Sequence, residues 1–130
     1  MKTTKRHFEI FKKECEKWIK VFGLLGHRFY YCHEDIEGRQ LAYCIYPDNH
    51  EDRVFTLGLS VNLDCDYSMV DIKRSAFHEV MEAFLYRIQN IARCRWGNGY
   101  ELEDEVHNII RTMEKAVYEK NECFKKTRSR

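Results

Sequence analysis

The sequence predicts an α+β domain, in which an N-terminal helix precedes a meander of three to four antiparallel strands and two long helices follow. Three observations lead to this prediction. Apolar residues recur at helical spacing near the N-terminus, short strand-like runs divided by turn residues fill the middle, and helical spacing returns in the second half. With 130 residues, 44% of them hydrophobic, the chain is long enough to bury one core. We therefore expect a single domain over residues 1–124 and a frayed basic tail over residues 125–130.

The first predicted helix has one apolar face and one charged face. Thr3 or Thr4 can cap its start, and Gly23 offers a left-handed stop. The apolar stripe consists of Phe8, Phe11, Cys15, Trp18, Ile19 and Phe22. This spacing predicts a helix that packs one face on the core.

Three strand-like runs follow, over residues 27–33, 40–46 and 53–60. Each is rich in aromatic or β-branched residues, and turn residues separate them at 37–39 and 47–49. Because the connections are short, we expect antiparallel neighbours in sequence order.

The remaining sequence is predicted to be helical. The segment from Ser68 to Asp71 resembles a capping box, with Asp in place of the usual Glu or Gln. A long helix then continues to about Arg93, and a last helix runs over about residues 102–122. The stripe of the long helix consists of Phe77, Val80, Met81, Phe84, Leu85, Ile88 and Ile91.

Charge and cysteine usage narrow the functional classes. Lys and Arg number 22 against 21 Asp and Glu, so the overall basic footprint of a general nucleic-acid binder is missing. We expect the aromatic strands to pack in the core, with no nucleic-acid partner. No apolar run reaches the roughly 20 residues that span a bilayer, so we expect no membrane partner. The six cysteines are spaced singly, without a Cys-x-x-Cys pair, and favour free thiols in a cytoplasmic protein.

The long helix carries the pattern most suggestive of chemistry, at His78, Glu79 and Glu82. His78 and Glu82 are four residues apart and share one helical face, as the two metal ligands of His-Glu-x-x-His do, with glutamate in place of the second histidine. Glu79 stands where such helices carry the general base that activates water. A catalytic zinc needs three protein ligands, and the last helix offers His107 as the third. The alternative is that His78 and Glu82 are only a surface pair of a charged helix.

The chain resembles a group of small phage- and prophage-encoded proteins with zincin-like, metallopeptidase-like character. The residues that carry the resemblance are Phe11, Glu14, Cys15, Trp18, Ile19 and Phe22–Leu24 in the first helix, Ala76–Val80 with Glu82 in the long helix, and residues 107–114 in the last. The resemblance implies a small metal-dependent hydrolase fold. It also implies that the strand over residues 56–60 runs beside the long helix as an edge for an extended peptide.

Two functions are compatible with this pattern. The first is a zinc-dependent hydrolase, a small metallopeptidase that uses a metal-activated water with Glu79 as general base and acts on a peptide or protein. Arg111 could then stabilise an oxyanion or pair with Glu82, and Glu103 could orient the free ring nitrogen of His107, unless both are ordinary surface charges. The second is a catalytically inactive zincin-like phage protein that binds and modulates a host protein in the host cytoplasm.

Overall fold

The helices and strands follow the predicted order, and the α+β fold class is confirmed. The computed structural model describes residues 1–24, 26–37, 40–47, 52–96 and 99–120. The elements are α1 (Lys5–Val21), β1 (Arg28–Cys32), β2 (Ala42–Ile45), β3 (Val54–Leu59), α2 (Met69–Trp96), α3 (Gly99–Met113) and a π-helical segment (Glu114–Glu119). The expected tail over residues 125–130 lies outside the described residues.

Both predicted helix starts are capped by the residues that the sequence indicates. Of the two candidate threonines, Thr4 caps α1, and His7 completes a reciprocal capping box. Before α2, the Ser68 amide donates to Asp71 Oδ2 (2.8 Å), and the Asp71 amide donates to Ser68 Oγ (3.2 Å). Aspartate therefore does what glutamate usually does in this motif. Gly23 has a φ of 64°, which gives α1 its left-handed end.

The sheet is mixed, so the antiparallel meander was wrong. The strand order is β1-β3-β2, with β3 parallel to β1 and antiparallel to β2. After β1 the chain passes the end of β3 at Asp35, which accepts hydrogen bonds from the Val61 and Asn62 amides (both 2.8 Å). Two inter-strand spacings are about 10 Å, which even a short connection spans easily. Although the connection between β1 and β2 is short, these two strands are therefore not neighbours in the sheet.

The core lies where α2 packs against α1, the sheet and α3. In α1 the predicted stripe is buried at Phe11, Cys15 and Trp18. Tyr118 of the π-helical segment packs on the Trp18 ring, with centroids 5.5 Å apart. The segment is thereby fixed against the end of the core that α1 and α2 form.

The apolar stripe of α2 is buried only along its first half. Phe77, Val80 and Met81 are at most 1% exposed. Farther along, Phe84, Ile88 and Ile91 are exposed, although the sequence pattern placed them on the same stripe. The last helix also differs from the prediction, since α3 begins at Gly99 and continues from Glu114 as π-helix.

The cysteines whose side chains are described are free thiols, as the sequence predicts. Cys15, Cys32, Cys44 and Cys65 are free thiols, whereas the side chains of Cys94 and Cys123 lie outside the described part. Among the described helices, none combines the length and apolar character needed to cross a bilayer.

Candidate metal centre

Helix α2 presents its His-Glu-x-x-Glu sequence at the boundary between core and solvent. Phe77 and Met81 point into the core, whereas His78 and Glu82 are only partly buried on the adjoining face. Their spacing of four residues brings His78 Nε2 within 3.4 Å of Glu82 Oε1. The helix alone therefore sets up two of the three predicted ligands.

The third predicted ligand is supplied by α3. His107 Nε2 lies 3.1 Å from the same oxygen, Glu82 Oε1, and the two imidazole rings are 5.6 Å apart. One potential ligand atom from each of His78, Glu82 and His107 lies within 4.8 Å of the other two. The structure thus brings together the three residues that the sequence singled out from two separate helices.

Each histidine is held through its other ring nitrogen. His107 Nδ1 lies 2.9 Å from the backbone carbonyl oxygen of Glu103, which can only accept, so Nδ1 carries the proton. His78 Nδ1 lies 3.0 Å from Glu114 Oε1 and donates to that carboxylate. In the neutral form of each ring, the Nε2 lone pair then faces Glu82.

Two nitrogen lone pairs and a carboxylate oxygen that converge repel one another unless a cation lies between them. In the metal-free protein, a proton on His78 Nε2 can take the place of this cation. Burial by itself would lower the pKa of His78, but hydrogen bonds to Glu114 and Glu82 and the negative charges of Glu79 and Glu82 raise it to about 10. Burial disfavours the Glu82 carboxylate, yet its hydrogen bond to His78 and the charge of that ring leave the pKa of Glu82 lowered.

The spacing of the three atoms also fits zinc. Tetrahedral ligands about 2.0–2.1 Å from zinc are about 3.3 Å from one another. The distances from Glu82 Oε1 to His78 Nε2 (3.4 Å) and to His107 Nε2 (3.1 Å) match this value. Two imidazoles with one carboxylate are a donor set typical of catalytic zinc, and such sites keep a fourth position open.

Glu79 lies beside the three ligands but is much more buried, at 7% exposure. Burial, followed by the negative charge of Glu82, raises its pKa to about 8. A carboxyl group with little water around it can hold and release a proton near neutral pH. This is the property required of the general base that the sequence predicts at this position.

Tyr46 fixes the second oxygen of Glu82. Its hydroxyl donates to Glu82 Oε2 (3.1 Å), while Oε1 faces the two histidines. The Tyr46 ring is itself stacked on Tyr86, with centroids 4.5 Å apart, and the Tyr86 hydroxyl donates to the Pro47 carbonyl (3.1 Å). Glu82 is therefore oriented to offer one oxygen, rather than both, to a metal ion.

Glu103 and Arg111, which the sequence suggests as auxiliary residues, differ in whether they contact the three ligands. Glu103 does orient His107, but through its backbone carbonyl, and its carboxylate instead lies 3.8 Å from Arg93. Arg111 is exposed and does not line the cleft that holds the three ligands. Among the described residues no ion pair joins Arg111 to Glu82, so the suggested pairing is wrong, whereas the oxyanion role of Arg111 stays a prediction.

Sequence reasoning assigned no role to Glu114 or Tyr46. Glu114 follows His107 by seven residues, almost two helical turns, so it lies on the same face and could have been found from this spacing. Tyr46 belongs to the segment after β2, and its approach to Glu82 depends on how the sheet docks on α2. No local pattern indicates such a contact.

The ligands open onto a cleft of about 540 Å³ between α2 and β2. Its strand side is formed by the consecutive residues 41–46, and its helix side includes Arg74, His78, Glu79 and Glu82. The strand over residues 56–60, which was expected to be the edge, is instead part of the central strand β3. The edge strand that borders the candidate site is β2.

Comparison with known proteins adds no relative. No protein-family model matches the chain, and neither does any curated protein or solved structure. The functional interpretation therefore depends on the geometry of His78, Glu82 and His107 and on their surroundings.

Proposed function

We propose that this chain is a small zinc-dependent peptidase whose metal ligands are His78, Glu82 and His107. One observation carries the proposal. Both histidines turn Nε2 toward a single oxygen of Glu82, while acceptors at Nδ1 hold their protons on the far side. A proton on His78 relieves this convergence of lone pairs in the metal-free protein, and the donor set and spacing suit zinc in its place.

Zinc held by His78, Glu82 and His107 would supply Lewis-acid chemistry, which polarises a substrate carbonyl group and makes water more acidic. The residues of the chain supply the rest of the chemistry. Glu79 accepts the proton of the attacking water and then donates it to the leaving amine. Its burial keeps competing water away from the proton.

The edge strand β2 supplies a way to bind a peptide beside the ligands. An edge strand has backbone N–H and C=O groups without a neighbour on one side, and an extended peptide can pair with them. Its four residues, Ala42–Ile45, span about 13 Å, and α2 from Arg74 to Glu82 spans about 12 Å alongside. An extended peptide of about four residues would fit between them.

Metal analysis tests the ligand set. Purified protein reconstituted with zinc should retain about one equivalent after dialysis. His78→Ala and His107→Ala should lose it, whereas His33→Ala is a matched control because His33 contacts Thr3 and Phe8 away from the cleft. Folded wild-type protein that holds no zinc, or equal zinc loss in all three variants, would refute the ligand assignment.

A peptide-cleavage assay tests the reaction separately. Glu79→Gln should retain zinc but lose hydrolysis of a mixed peptide library by about 10²-fold or more, because the proton acceptor is removed. Glu105→Gln is the matched control, since Glu105 is exposed on α3 and outside the cleft. Unchanged turnover in Glu79→Gln would exclude Glu79 as the base.

A second candidate function is a binding module for a host protein on a zincin-like scaffold. The observation that favours it is the exposed apolar row Phe84, Ile88 and Ile91 on α2, because exposed apolar rows often mark interaction sites. Zinc binding without zinc-dependent cleavage of any peptide would favour this function over the peptidase.

A further inference from the structure

The cleft beside the candidate zinc site is lined by more acidic than basic side chains. Glu79, Glu82, Glu103 and Glu114 line it, whereas Arg74 is the one lysine or arginine among the described residues of its wall. Arg74 precedes His78 by four residues, so it lies on the same face of α2, one turn toward the start of the helix. A cation is thus placed about 6 Å along the helix axis from the ligand His78.

Arg74 has donors that its present contacts leave unused. Its Nη2 lies 3.4 Å from Glu119 Oε1, and the two side chains are 43% and 49% exposed. An ion pair this exposed is weak, because water screens the two charges. The Nε atom of Arg74 is buried and has no hydrogen-bond partner within the described part of the chain.

The shape of the guanidinium group indicates what would satisfy it. Its donors form a planar fork that matches the two oxygens of a carboxylate, and such paired hydrogen bonds are among the strongest in proteins. A small rotation of the half-exposed Arg74 side chain would offer Nε and an Nη atom together to a ligand in the cleft. A neutral amide provides only one oxygen and carries no charge, so it would bind there more weakly.

We propose that Arg74 binds a carboxylate of the peptide substrate about two residues from the bond that is cleaved. The distance follows from about 6 Å along α2 and about 3.3 Å per residue of an extended peptide. The carboxylate is either the free C-terminus or the side chain of Asp or Glu, because both present the same two oxygens. This inference rests on the proposed peptidase function and adds its substrate class.

Binding measured without turnover tests the inference. The probes are three pools of N-acetylated hexapeptides on zinc-loaded Glu79→Gln protein. One pool has a free C-terminus, one is the same pool amidated, and one is amidated with Asp or Glu at the inner positions. We expect at least one acid-containing pool to bind about tenfold or more tightly than the neutral pool, and the tighter of the two identifies the source of the carboxylate.

Variants assign that preference to Arg74. Adding Arg74→Gln should reduce the preference to about threefold or less, Arg74→Lys should keep part of it, and Lys73→Gln is the matched control outside the cleft. Glu119→Gln should leave the preference intact or strengthen it, because it frees the guanidinium. If Arg74 only held Glu119, then Glu119→Gln and Arg74→Gln would act alike.

The outcomes separate this inference from the proposed function. Equal binding of all pools, no binding of any pool, or a preference that survives Arg74→Gln would overturn the role of Arg74. Acid-selective binding that depends on Arg74, combined with no zinc-dependent cleavage by the wild-type protein, would refute the peptidase and leave the carboxylate site standing.

Discussion

Glu114 is expected to strengthen zinc binding without contacting the metal. Its carboxylate accepts the proton of His78 Nδ1 at 3.0 Å, and the two side chains are only 15% and 26% exposed. A hydrogen bond to a charged group contributes about 1.5–3 kcal/mol, and water screens this one little. Removal of such an acceptor from a metal-bound histidine commonly weakens metal affinity by about 10- to 100-fold.

Two substitutions separate the contribution of the Glu114 charge to zinc affinity from that of its hydrogen bond. Glu114→Gln keeps an acceptor and removes the charge, so we expect about a tenfold loss of zinc affinity. Glu114→Ala removes both, so the expected loss is about 100-fold. Glu105→Gln, on an exposed part of α3, should bind zinc within about twofold of wild type.

Competition with a coloured zinc chelator measures these affinities. Because zinc must displace a proton from His78, the comparison is made over a range of pH rather than at one value. The absorption spectrum of the cobalt-substituted protein provides a second readout, since a rotated imidazole alters the ligand field. Wild-type affinity and spectrum in Glu114→Ala would refute the positioning role, and so would an equal loss in Glu105→Gln.

Two further predictions concern the scaffold around the site. Gly58→Ala should destabilise the fold by about 1–3 kcal/mol in urea unfolding, because an added Cβ would overlap the buried ring of Tyr43. Gly26→Ala should change stability much less, and equal effects of the two would contradict this account. Hydrogen bonds from the Asn62 backbone and side chain, and from the Val61 backbone, lower the pKa of Asp35. The contribution of Asp35 to the free energy of unfolding is therefore fully present above its unfolded pKa of about 3.9 and is lost as pH falls through its lower folded pKa. Asp35→Asn should thus make the free energy of unfolding fall less steeply at acid pH.

The two ends of α1 and the start of α2 show what could be predicted from local sequence. Thr4, Gly23 and the pair Ser68–Asp71 act through neighbours within a few residues, and the structure confirms all of these assignments. The same applies to His78 and Glu82, whose shared face follows from the helical repeat alone. Capping and periodicity are short-range effects, so they are visible in the sequence.

Tertiary structure decided the rest, because the remaining contacts join residues distant in the chain. Strand order depends on where the chain after β1 passes β3, at Asp35, which binds the amides beyond the end of β3. The approach of His107 to Glu82 depends on the packing of α3 on α2. The same packing turns Glu114 toward His78 and leaves Arg111 in solvent. By itself the sequence determined the capped helix ends and the face of α2 that carries His78 and Glu82. Packing determined which side chains contact that face, because hydrophobic burial is strong but non-directional.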